Sequence, residues 1–418
     1  MSPLSRRTAI AVFLAFAFAY FLSALLRAVT ATLAPTLTQE FALQASDLGL
    51  LAGGYFLGFS ATQLPLGQWL DRHGPRKVLL GFLGVAVLGC LVFAQATGFA
   101  GLLLGRVLCG AGVSACLMAP LMGFRRWAAP AAQLRVNAWM LMTGSLGMLA
   151  STLPVQWLMP LAGWRPLFWG VAALLLLSML LLAWQVPRWA VSGSAAAPAP
   201  AAAPRGLLAG YGEIWRHPYF RRVAPLGFVT YGGMVAMQTL WAGPWMQNVA
   251  GYTPLEAATG LFLINLAMLL TFWAWGLASP WLLARAGGAD PLMAVGLLLP
   301  MGVLAGIVAV GPQAGALSWA LYCVLCSVVT VSQPAVAQAF APGLAGRVLS
   351  AYNLVIFVGV FAVQWGIGLA VDAASAAGWS TLSAYRLAMA GYLLCSVLAY
   401  AWFVAQGRRD NAAQTAIP

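Results

Sequence analysis

A chain of 418 residues that is 62% hydrophobic, only 7% charged and of mean hydropathy +0.88 cannot be a water-soluble globule. No soluble domain could hide that much apolar surface. The net charge of +13 does not mark a nucleic-acid binder either, because the basic residues cluster in short connectors between apolar runs. There they report membrane orientation and contact with anionic lipid headgroups.

The apolar runs are continuous rather than alternating, so helices and not a barrel cross the bilayer, each long enough for ~30 Å of hydrocarbon. Twelve spans are predicted, at 10–35, 47–67, 78–97, 99–122, 136–160, 166–186, 223–248, 257–282, 291–311, 314–337, 348–371 and 385–406. The basic start MSPLSRRTAIAVF reads as the beginning of span 1, since no small-residue cleavage site follows at the right distance. The only break in composition is VPRWAVSGSAAAPAPAAAPRG at 186–206, whose alanine–proline low complexity reads as a flexible tether. Residues 207–222 then predict a short amphipathic segment on the membrane surface. The expected organisation is a six-helix bundle over 1–186, a linker over 187–222, a second six-helix bundle over 223–406 and a tail over 407–418. Most of the 21 basic residues, among them Arg6, Arg7, Arg72, Arg76, Lys77, Arg125, Arg408 and Arg409, fall on the side of both termini. The positive-inside rule makes that side the cytoplasm, and a bacterial-type inner membrane is the expected location.

GQWLDRHGPRKVLL, residues 67–80, has the pattern G-x-x-x-D-R-x-G-x-R-[KR]. It resembles the connector between spans 2 and 3 in the major facilitator superfamily, with Gly67, Asp71, Arg72, Gly74, Arg76 and Lys77 all matching. RVLCGAG at 106–112 looks like the superfamily's R-x-x-x-G-x-G in span 4, and GWRPLF at 163–168 resembles its approach to span 6. A degenerate echo of the connector follows span 8, where Arg285 aligns with Arg76. The resemblance implies an all-α integral membrane protein of twelve helices in two related bundles that rock against each other. The six connector residues would then serve gating. Gly67 and Gly74 allow close approach and a tight turn. Asp71 can accept from Arg76 and cap the positive end of span 11 near Arg347–Ser350.

Inside the spans, ionisable groups are costly, at least ~2.5 kcal/mol each, and need a reason. Arg27 in span 1 and Arg106 in span 4 are therefore candidate substrate ligands, and no Asp or Glu lies near the middle of any span. Such a cavity is electropositive and favours an anion, which arginine grips with two parallel N–H groups. The placing of Arg27 resembles the organic-anion branch of the superfamily. Span 7, GFVTYGGMVAMQTLWAGPW, carries no basic residue, which favours a monoanion. Tyr231, Gln238 and Trp241 are expected to face the cavity together from span 7, with Asn353 from span 11. Gln63, Asn137, Asn265, Gln333, Tyr352 and Gln364 complete the expected neutral polar set. Cys323 and Cys326 form a C-x-x-C inside an apolar run with no histidine nearby and read as small core residues, so no metal or other cofactor is expected.

No phosphate-binding glycine loop or nucleotide motif occurs, so an ion gradient is the expected energy source. The expected partners are a small, anionic organic solute, a coupling proton or other ion and membrane lipid, with no nucleic acid, and the expected state is a monomer. The function read from these residues is non-enzymatic proton-coupled symport by alternating access. The alternative is proton-coupled drug or metabolite efflux, which the span-5 sequence TGSLGMLASTLP disfavours, because it lacks the proline and glycine pair of efflux relatives.

Overall fold

The computed structural model describes residues 5–127, 130–187, 211–341 and 344–415. Among them the chain is helical throughout its ordered elements. Nine helices are long and apolar enough to cross a membrane unaided, starting with Arg6–Phe41 and ending with Thr381–Arg408. A tenth crossing, span 5, is a pair, Arg135–Ala150 and Leu153–Ala162, bent by 42°. The two remaining crossings are spans 2 and 7, which are broken into pieces. Span 2 runs as Ala45–Ala61, breaks at Thr62 and continues into Gln63–Ala94. Span 7 is assembled from Pro218–Pro225, Leu226–Tyr231, Gly232–Ala236, Met237–Trp241 and Ala242–Asn248. Its second and fourth pieces are wide π turns.

Two buried cores divide the molecule. One draws on residues 12–186 with only Ala236 and Val360 from beyond. The other draws on 211–403 and admits Ala31, Ala34, Leu48 and Ala52 from the first half. Most of the alanine–proline tether falls outside the described residues. The amphipathic stretch after it is resolved as Tyr211–Arg216 and Pro218–Pro225. Its apolar residues Tyr211, Ile214, Phe220 and Val223 are buried in the second core. The last helix also exceeds expectation, running through Thr415 rather than ending at 406.

The charged connector is resolved in detail. Gly74 sits at φ 76°, ψ 163°, a conformation that favours glycine, and turns the chain between spans 2 and 3 just before Pro75. Arg76 does not meet Asp71. It donates to the backbone carbonyls of Ala183 and, at 3.1 Å, Val186, which are unpaired at the end of the span-6 helix Trp164–Gln185. A cation on bare C-terminal carbonyls satisfies both hydrogen bonding and the helix dipole, and this outcompetes an exposed carboxylate. Gly67 likewise makes no close approach, because a Cβ there would meet nothing within 4 Å. Arg72 and Lys77 are exposed. In the second bundle Arg222 donates to the carbonyl of Phe403, within the last helix, at 3.0 Å and pairs with Asp290 at 2.8 Å. Tyr219 donates to the same carboxylate at 2.7 Å.

The span-4 motif is a packing device. A Cβ on Gly110 would run into the Tyr55 carbonyl of span 2, and one on Gly112 into the Ala86 backbone of span 3. Small residues let helix backbones meet where lipid offers no hydrophobic drive. Gly110→Val is expected to destabilise the bundle by about 1–3 kcal/mol through overpacking, read as a lower thermal unfolding midpoint in detergent. Gly67→Val should leave that midpoint unchanged.

Candidate functional site

A cavity of about 1040 Å³ lies between the two bundles. It reaches the face that carries the basic connectors, where Arg135, Gly276 and Leu349 stand at its mouth. Its walls come from spans 1, 2, 4 and 5 on one side and 7, 8, 10 and 11 on the other. Thr62 and Ser114 are the two helix breaks of spans 2 and 4, and their hydroxyls lie 2.7 Å apart at this wall. The breaks therefore meet, and Ser114 lines the cavity.

Arg27 lines the cavity, half-buried, with its guanidinium 5.8 Å from the centroid of Phe59. Its Nε is buried with no hydrogen-bond partner. No Asp or Glu is among the described lining residues, so nothing in the wall neutralises this charge. Opposite, Gln333 donates to Asn353 Oδ1 at 2.7 Å, and the Tyr231 hydroxyl donates to Gln333 Oε1 at 3.5 Å. All three line the cavity, with Tyr20, Ser23 and Gln63 on the other side. Tyr20 escaped the sequence reading, yet it lies seven residues before Arg27, two turns along the same helix face.

Arg106 is not in the cavity. It is fully buried inside the first bundle, donates from Nη1 to the Leu26 carbonyl at 2.7 Å and lies 4.9 Å over the Tyr55 ring. Its Nε and Nη2 have no partner. It therefore holds the backbone one residue before Arg27 and adds positive potential from behind.

Gln238 and Trp241 are also elsewhere. Gln238 donates to Asn265 at 3.0 Å and Trp241, fully buried, donates to the Gln364 carbonyl at 3.0 Å. Two causes remove them from the group expected with Tyr231. At 1.5 Å per residue they stand about 10 and 15 Å further along the axis, beyond the end of the cavity. The wide turn Met237–Trp241 also rotates that stretch away from α-helical register. Of the other neutral candidates, Tyr352 donates to Ser332 at 2.8 Å in the core, and Gln364 donates to Thr239 at 3.0 Å.

The end of the molecule away from the basic connectors is shut. The Asp372 carboxylate, at the end of span 11, accepts from the backbone N–H groups of Ala45 at 3.0 Å and Ser46 at 2.7 Å. Those are the first residues of the span-2 helix, whose N–H groups have no partner within the helix. Below this latch Phe59 and Phe357 close the seam, with centroids 4.5 Å apart. At the basic face the same two spans carry no equivalent bond. Asp71 makes no hydrogen bond or ion pair among the described residues.

Comparison with known proteins agrees with this architecture. Residues 16–364 match the Major Facilitator Superfamily. The chain belongs to that family. A bacterial homolog of the human lysosomal transporter Spinster, solved inward-facing and unoccupied, superposes with a TM-score of 0.74 at 18% identity, covering 97% of this chain and 98% of that one. An uncharacterized transporter, YgaY of Escherichia coli O157:H7, is 30% identical over 154 residues, 36% of this chain and 38% of its own length. The nitrate/nitrite transporter NrtP of Picosynechococcus is 34% identical over 93 residues, 22% of this chain and 17% of its own. The chain thus spans well under half the length of these curated relatives. It is a multi-pass membrane protein of the superfamily.

Asp372→Asn should loosen the closed end. Losing the charge on two hydrogen bonds removes about 1.5–3 kcal/mol. Labelling of an Ala52→Cys probe by an impermeant thiol reagent applied from that side should then rise at least about tenfold.

Proposed function

We propose that this protein is a secondary active transporter that moves a small organic anion across a bacterial-type inner membrane by alternating access, in symport with protons. The observation that carries the reading is Arg27, an unneutralised guanidinium in a central cavity without a lining carboxylate. An anion there gains a charge-assisted hydrogen bond, whereas a cation would be repelled. The likeness to a nitrate/nitrite transporter points in the same direction. On this reading the basic face is cytoplasmic by the positive-inside rule, both termini lie there, and the conformation described is open inward.

Tyr231, Gln333 and Asn353 orient the rest of the solute from the second bundle. Arg106 acts as a positioning residue, and Gln238 and Trp241 keep span 7 docked to its neighbours. Asp372 and Asp71 form alternating latches. Asp372 caps span 2 in the inward-open state, and Asp71 caps span 11 when the cytoplasmic side closes. Since no carboxylate lines the cavity, the proton travels on the cargo or through a latch. A 100 mV potential supplies ~2.3 kcal/mol per net charge moved, about fiftyfold accumulation when two protons accompany each monoanion; with one proton per monoanion the step is electroneutral and draws on the pH gradient alone.

In proteoliposomes Arg27→Ala should lower uptake of the transported anion by about 30- to 150-fold, with Arg27→Lys intermediate. Arg106→Ala should cost less, since Arg27 keeps its charge. Transport of anions at wild-type rates by folded Arg27→Ala would refute the anion site. An imposed inward-directed pH gradient should accelerate uptake, and an outward-directed one should slow it.

A further inference from the structure

The cavity is chemically two-ended. One end holds Arg27, Tyr20, Tyr231, Gln333 and Asn353, including the Tyr231–Gln333–Asn353 hydrogen-bond chain. The flank between spans 5 and 8 holds Leu141, Met142, Phe272, Trp273 and Leu277. These five are between 41% and 66% exposed, so protein packing does not consume them. Ser145 of span 5 is the one uncharged polar side chain from these two spans among the described lining residues, so the flank is predominantly apolar.

This division discriminates among anions. A small inorganic anion would occupy the guanidinium and leave the whole flank facing water. A dianion would find one cation at depth, since the other lining arginine, Arg135, stands at the mouth, exposed and 5.6 Å over the Trp139 ring. We propose that the cargo is an amphiphilic monoanion. Its acid group sits on Arg27, and its apolar body, aromatic or a short hydrocarbon, lies along the span-5 and span-8 flank. The assignment rests on the anion-transport reading above and narrows it.

The flank sets how selective the site is. Apolar area removed from water favours binding roughly in proportion to its size, so affinity should climb with the body. Met118, Met142 and Met148 all line the cavity, and flexible thioether side chains mould to differing shapes. The site is therefore strict about charge and tolerant about the outline of the body.

Sulfonates test this cleanly, because they stay singly ionised at any working pH and do not leak through bilayers as weak acids do. Binding to the full chain in nanodiscs would be measured by calorimetry against empty discs, with uptake into proteoliposomes measured in parallel. The probes are methanesulfonate, benzenesulfonate, naphthalenesulfonate and benzenedisulfonate. Affinity is expected to rise at least about tenfold from methanesulfonate to naphthalenesulfonate and to drop again for the disulfonate. The double variant Phe272→Ser, Trp273→Ser should abolish the rise, bringing naphthalenesulfonate to within about twofold of methanesulfonate on the same variant. Methanesulfonate binding as tightly as naphthalenesulfonate would overturn the amphiphile assignment and leave the anion reading standing. If no sulfonate binds or moves, both fall.

Discussion

A carboxylate on the bare end of a helix holds this conformation together. The first N–H groups of span 2 have no partner of their own, and Asp372 supplies one from the other bundle. The bond satisfies two donors, places a negative charge at the positive end of a helix dipole, and ties span 11 of one bundle to span 2 of the other. A latch of this kind suits a moving part. Each helix end is polar enough to be rehydrated when the bond breaks, so neither state leaves a charge stranded in hydrocarbon. Everything toward the basic face follows, since bundles pinned at one end can splay only at the other. The cavity is the space between them.

Within the bundles the forces differ. The first bundle is knit by close helix contact at Gly110 and Gly112 and by arginines spent on backbone carbonyls. Arg76 closes the end of span 6, and Arg106 grips Leu26. In the second bundle Arg222 links the Phe403 carbonyl of the last helix to the Asp290 carboxylate. Arg285, after span 8, is exposed, with its guanidinium 6.0 Å from the centroid of the Trp281 ring.

Much of the fold was legible in the residues. Continuous apolar runs and clustered connectors are governed by the bilayer, a single dominant constraint that local sequence reports faithfully. Arg27 was legible for the same reason, as a charge in hydrocarbon. What the sequence did not reveal was direction. Arg106 bears the same cost of burial as Arg27 but turns inward, and its rotation depends on backbone contacts that no spacing encodes. Gln238 and Trp241 were misplaced because the reading assumed a regular helix with a cavity along its full length. Asp372 looked like an edge residue, since its partners are backbone N–H groups more than 300 positions away and carry no side-chain signature.

The wide turns of span 7 absorb surplus length. A π turn is how a helix houses one surplus residue while everything before and after stays in place. Leu226–Tyr231 and Met237–Trp241 each hold such a surplus. Each turn is thus a place where span 7 takes up an extra residue while the helix on either side keeps its neighbours.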